Sequence, residues 1–131
     1  MSALFAALTA IFAKVGVSDV NADFATLIRT LVIVPLLAAL VWMNGQWQSL
    51  GTVSSRTWTF LVLSAVATGA SWLCYFRAMK LGDAARVAPL DKMSVVLVAI
   101  LGVLFLGERL GPLNWLGVVL IAGGVVLVAW R

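Results

Sequence analysis

Lys14, Arg29, Asp91 and Lys92 each stand inside or at the edge of an apolar run, and theirs are the side chains whose chemistry needs an account. A charge within a membrane helix faces protein or water, and it marks a functional position by default. A Lys or Arg near a helix end has a second option, laying its stem along apolar surface while its head reaches the lipid headgroups. Asp91 and Lys92 also close a denser group. The stretch Tyr75–Lys92, YFRAMKLGDAARVAPLDK, gathers Arg77, Lys80, Asp83, Arg86, Asp91 and Lys92 in a chain with only nine basic and five acidic residues. Arg77, Lys80 and Arg86 fit a loop resting on headgroups. Asp91 and Lys92 fit an intramembrane pair. Trp72 and Tyr75, just upstream, either wall a pocket or pack between helices.

Composition decides the surroundings of these residues. The 131-residue chain is 63% hydrophobic and 11% charged, with a mean hydropathy of +1.12. In a soluble domain about a quarter of residues are charged. Several apolar runs approach the roughly twenty residues that span a bilayer core. The expectation is an all-α polytopic membrane protein, forming a single domain over 1–131. The net charge of +4 places bases at helix ends, so membrane orientation accounts for it better than nucleic acid does. Cys74 is the lone cysteine and histidine is absent, which excludes an internal disulfide and argues against zinc or imidazole chemistry. No cofactor is expected, and no nucleophile–base pair or phosphate loop points to an enzyme.

Five spans position the charges, at about 2–17, 24–43, 57–79, 84–106 and 113–130. The first, SALFAALTAIFAKVGV, is short for a full crossing, as if it began at the interface or lacked upstream residues. It lacks the basic flank and cleavage site of a signal peptide, and Lys14 lies near its far end. Asp19 or Asp23 would cap the second span. Arg29 sits a turn and a half inside that span, beside Thr26 and Thr30, and either snorkels or faces an acid or a cavity. Pro35 would kink the same helix. The third span carries Ala67 and Ser71, and Ala70, Cys74 and Ala78, at four-residue spacing, a face that lets another helix approach closely. Gly82 would supply a left-handed C-cap and Asp83 the next N-cap.

Where the fourth helix begins decides the status of Asp91 and Lys92. A start at Ala84 puts them about 10–12 Å along the axis. A start at Pro89, a residue that favours the first helical position, leaves both at the interface. The turn GERLGP follows, with Glu108 as a structural or gating residue and Pro112 to open the fifth span. One membrane face collects Lys14, Arg77, Lys80, Arg86 and Arg131, with Arg29 and Lys92 deeper, while the other has Arg56 and Arg109. That bias puts the N-terminus outside and the C-terminus in the cytoplasm.

The ordered pattern of AKVGV, an early Arg in the second span, YFRAMKLGDAARVAPLDKMSVVLVAILGVLFLGERL and NWLGVVLIAGGVVLV resembles the EamA domain of the drug/metabolite transporter superfamily, over nearly the whole chain. It is most similar to the single-unit, five-span bacterial or archaeal type. The resemblance implies one half of an inverted-repeat transporter of small organic solutes in the inner membrane, working as a homodimer or with an equivalent half. Related small multidrug exporters use a Glu in the first helix. This chain reads AIFAKVG there, with Lys14 and no acid, which argues against cation export by that route. A Lys14 and Arg29 environment suits neutral, zwitterionic or anionic solutes, including amino-acid-like ones. On this reading Lys14 and Arg29 orient a carboxylate or phosphate, and Trp72 and Tyr75 wall the cavity. Asp91 and Lys92 form a gating or counter-charge pair, and Pro89 supplies a kink that permits rocking. Two alternatives stand beside it: a flippase for a lipid-linked substrate, and a non-transporting subunit that stabilises a partner.

Overall fold

The computed structural model describes residues 1–130 as an all-α chain, with no strand among those residues. The helices are α1 (Ser2–Gly16), α2 (Ala22–Met43), α3 (Ser55–Leu81), α4 (Ala84–Asp91), α5 (Met93–Leu106) and α6 (Pro112–Ala129), with a 3-10 turn at Leu50–Thr52. Ala22–Met43, Ser55–Leu81, Ala84–Leu106 and Pro112–Ala129 are long and apolar enough to cross a membrane. α1 is apolar but has 15 residues, about 22 Å of helix against a hydrocarbon core of roughly 30 Å. Leu, Val, Ile and Phe side chains line the outsides of these helices in large numbers. Lipid makes that arrangement stable, because hydrocarbon solvates apolar side chains while the helix satisfies its own backbone. Arg131, counted above for orientation, lies outside the described residues.

Helix boundaries follow from local chemistry, with three corrections to the sequence reading. The cap of α2 is Asn21, not Asp19 or Asp23. Its Oδ1 accepts the backbone N–H of Asp23 at 2.9 Å and of Phe24 at 3.4 Å, so the helix starts at Ala22 and the Asp23 carboxylate is released for other work. Gly82 is not left-handed; the glycines with positive φ are Gly45 after α2 and Gly107 after α5, at 63° and 68°. The Schellman closure is at Gly45, with Gln46 N–H to the Val41 carbonyl at 3.0 Å and Gly45 N–H to the Trp42 carbonyl at 2.9 Å, while after α5 the Glu108 N–H reaches the Gly102 carbonyl at 3.1 Å. No such closure has room between α3 and α4, where Asp83 is already extended and its carbonyl accepts from Arg86 and Val87 at 3.0 Å. Asp83 is the N-cap by position, yet its carboxylate makes no capping bond and lies 3.9 Å from Arg86.

The third correction concerns the fourth span, which is helical from Ala84 but interrupted at Lys92. Pro89 has no N–H to give, and its ring crowds the carbonyl one turn back. The following bonds tighten to three-residue spacing, with Lys92 N–H to the Pro89 carbonyl at 2.9 Å and Val95 N–H to the Lys92 carbonyl at 3.0 Å. Ser94 Oγ adds a bond to the Asp91 carbonyl at 2.7 Å. The helix is interrupted at Lys92, three residues beyond the Pro89 at which a kink is expected. α2 by contrast runs unbroken through Pro35, and Pro112 opens α6 as expected.

The chain forms two compact units. One holds Met1–Ile11 and the chain from Leu81 onward, where α6 packs against both α4 and α5. The other is Phe12–Lys80, with the end of α1, all of α2 and nearly all of α3. Its buried residues are Ala13, Val17, Ala22, Thr26, Phe76 and Met79. All six lie where α1 stops, α2 starts and α3 stops. This end of the unit is closed by packing, and the remaining length of α2 and α3 is exposed.

Candidate functional site

Within the Phe12–Lys80 unit, α2 and α3 flank a groove of about 370 Å³. Thr26 and Thr30 line it from α2, and Ser64, Thr68, Gly69 and Trp72 from α3. Four-residue spacing puts each set on one helix face. Three of the hydroxyls donate backwards along their own helices. Thr26 Oγ1 bonds to the Ala22 carbonyl, Thr30 Oγ1 to that of Thr26, and Thr68 Oγ1 to that of Ser64, each at 2.9 Å. With their protons committed, these hydroxyls offer lone pairs to whatever enters the groove. The wall is largely apolar and is set with hydroxyl acceptors.

Arg29 supplies the opposite character. Its guanidinium carbon lies 4.3 Å from the centroid of the Trp72 ring and 5.5 Å from that of Phe76. Stacking of this kind contributes about 0.5–2 kcal/mol, the higher figure where water is excluded. It also fixes the cation by its face, leaving the N–H edge of the planar fork for a ligand. Among the described residues no carboxylate forms an ion pair with Arg29. The sequence offered snorkelling, an acid or a cavity; an aromatic wall beside a groove is the outcome.

The other bases at the closed end of this unit have protein partners. Arg77 grips Asp23 with two bonds, from Nε at 2.8 Å and Nη2 at 2.7 Å. Lys80 Nζ donates to the Val20 carbonyl at 2.8 Å, and Lys14 Nζ to the Met79 carbonyl at 2.7 Å. Lys14 thus places a cation at the last turn of α3, where carbonyls lack helical partners and the helix dipole is negative. Together these bonds clasp the C-terminal end of α3 to the connection between α1 and α2. Arg77 and Lys80 are not simply headgroup anchors.

Of the sequence candidates, Trp72 lines the groove and Arg29 lies against the Trp72 ring without being one of the lining residues. Lys14 sits in the clasp, and the Tyr75 ring stands edge-on to Phe76 at 6.2 Å, not among the groove-lining residues. Asp91 and Lys92 belong to the other unit, where they pair at 3.1 Å beside the helix break and are both partly exposed. Gly82 lines an open hollow of about 640 Å³ with Asp83, Arg86 and Trp130. Glu108 folds its carboxylate over Gly102, so close that a Cβ there would lie 2.6 Å from Oε2. The sequence marks Asp23 only as a candidate cap and Thr68 only as one of the small residues of the third span, and it does not single out Ser64. The four-residue spacing of Ser64 and Thr68 was the available signal, but it does not say which helix faces them.

The family profile of EamA-like transporters matches residues 1–130. The chain is 67% identical over 129 residues to a Sinorhizobium sp. protein named "Uncharacterized transporter in cobO 3'region", covering 98% of this chain and 92% of that protein. It is 34% identical over 92 residues to an uncharacterized transporter of Vibrio cholerae, and 28% identical over 96 residues to Protein RarD of Salmonella typhi. Those alignments cover 69% and 72% of this chain but only 30% and 33% of the two relatives, so the matched stretch is about a third of their length. No solved structure matches it. The chain belongs to the EamA-like transporter family and is a multi-pass membrane transporter.

Proposed function

We propose that this protein carries small organic metabolites with a carboxylate or phosphate, amino-acid-like solutes among them, across a bacterial or archaeal inner membrane. The observation that carries the reading is Arg29, stacked on Trp72 and ion-paired to no acid among the described residues, beside a largely apolar groove that carries hydroxyl acceptors. The guanidinium fork receives the anionic group. Thr26, Thr30 and Thr68 accept from ammonium, amide or hydroxyl groups, and Leu61 and Ala65 meet the apolar part. Lys14 supports the site by holding the end of α3, while Asp91 and Lys92, at the break after Pro89, act as a counter-charge pair at a hinge. Purified protein in liposomes, offered a mixture of labelled amino and hydroxy carboxylates, is expected to move at least one of them faster than empty liposomes do. Folded protein that moves none of them would sink this reading.

The groove-facing residues Leu61, Ser64, Ala65 and Thr68 are exposed along α3, which supports a second reading. A lipid-linked substrate would enter sideways there, with its phosphate on Arg29. Scrambling of a lipid phosphate between leaflets, with no movement of water-soluble solutes, would select it.

Alternating access needs a second half, either another copy or a similar unit, since inverted repeats meet around a shared midplane site. The Vibrio and Salmonella relatives, more than twice as long as this chain, fit such a pairing within one polypeptide. The charge bias places the N-terminus outside and the C-terminus inside. Single cysteines near each terminus, in a Cys74→Ser background, should each label from one side only. Comparable labelling of each terminus from both sides would mean that the chain inserts in both directions, and that two copies can build the inverted pair.

A further inference from the structure

The groove between α2 and α3 ends at a closure built of bonds that water can replace. We propose that Asp23–Arg77, with Lys80 on Val20 and Lys14 on Met79, is a gate that opens during the transport cycle on the side of the α1–α2 connection. The proposal rests on the reading of the groove as the solute path.

Register puts the gate directly beyond the groove. Asp23 is one turn before Thr26, and Arg77 is five residues past Trp72, about 7.5 Å further along the helix axis. Beneath the polar bonds, Val17 and Met79 are 1% and 0% exposed and form an apolar plug. The way out of the groove at this end is therefore shut twice, by packing and by charge. At its other end the lining residues are exposed and no such closure exists among the described residues of this unit.

The bonds suit a closure that must reopen. The Arg77 and Asp23 side chains are 61% and 46% exposed, so water can solvate both when they part. The two lysine bonds end on backbone carbonyls, which water can also satisfy. A buried ion pair would leave uncompensated charges on opening, and it would hold the end shut. Phe76 connects gate to groove. It is buried, lies 5.5 Å from the Arg29 guanidinium, and immediately precedes Arg77 on α3. A solute anion that draws Arg29 off its rings acts on the turn that carries the gate.

The test uses Thr68→Cys as a groove reporter in a Cys74→Ser background, labelled by a membrane-impermeant maleimide in right-side-out and everted vesicles. Asp23→Asn and Arg77→Gln should each raise labelling from the gate side roughly threefold or more, with little change from the opposite side, as expected when a partly solvated pair is lost. The charge swap, Asp23→Arg with Arg77→Asp, should bring labelling back toward the parent level. Unchanged labelling in both single variants would overturn the gate. So would an equal rise from both sides, or a swap that fails to reclose, since either marks the bonds as a structural staple. Labelling does not depend on transport, so this result and the solute assay can fail separately.

Discussion

Replacing Arg29 with glutamine is expected to cut transport of an anionic solute by about 10- to 100-fold, the loss that goes with one charge-assisted bond of about 1.5–3 kcal/mol. The effect should fall on solutes with a carboxylate or phosphate and spare neutral ones. Folding should suffer little, because among the described residues no acid is left without its partner when the guanidinium goes. Arg29→Lys should recover only part of the activity, since an ammonium keeps the charge but loses the planar fork and the stack on Trp72. Uptake rates over a concentration series, for parent and variants at equal protein in the liposomes, decide the matter. Parent-like uptake by the glutamine variant would remove Arg29 from the solute path and leave the groove without its recognition element.

Met79→Ala should lower stability by about 2–5 kcal/mol, the cost of emptying a fully packed site. Met79 is 0% exposed and lies against the end of the unit where burial is concentrated, whereas Leu81, two residues on, is 90% exposed. Leu81→Ala is therefore the matched control and should change little. Few residues in the Phe12–Lys80 unit are buried at all, so removing one of the two most enclosed side chains takes away a large share of its packing. The Lys14 bond goes to the Met79 backbone carbonyl and survives the substitution, which isolates the packing effect. Thermal unfolding in detergent compares the three proteins. Equal midpoints for the alanine variants would show that the closed end is not where this unit gets its stability.

Which parts of the structure were legible beforehand follows from where the information lies. Helix positions came within about two residues, because hydrophobic run length and a few Gly, Pro and Asn residues act locally. Pro112 at the start of α6 is such a case. Local signals also misled where two were adjacent. Gly82 and Asp83 both read as caps, yet the connection is too short for a left-handed turn, and the left-handed glycines are Gly45 and Gly107. Lys14 and Arg29 looked alike as cations in apolar helices. The fold separates them, setting one on a carbonyl and the other on an indole ring.

The sequence by itself determined that this is a polytopic helical membrane transporter of the EamA type. Lipid forces each backbone to satisfy itself, and so writes the spans into composition. Only the tertiary structure decided that Arg77 holds Asp23, 54 positions away, and that Trp72 holds Arg29. Those choices depend on how each helix is rotated about its axis. Hydrocarbon solvates most apolar faces about equally well, so the hydrophobic pattern carries little record of that rotation; close packing and a few polar bonds set it.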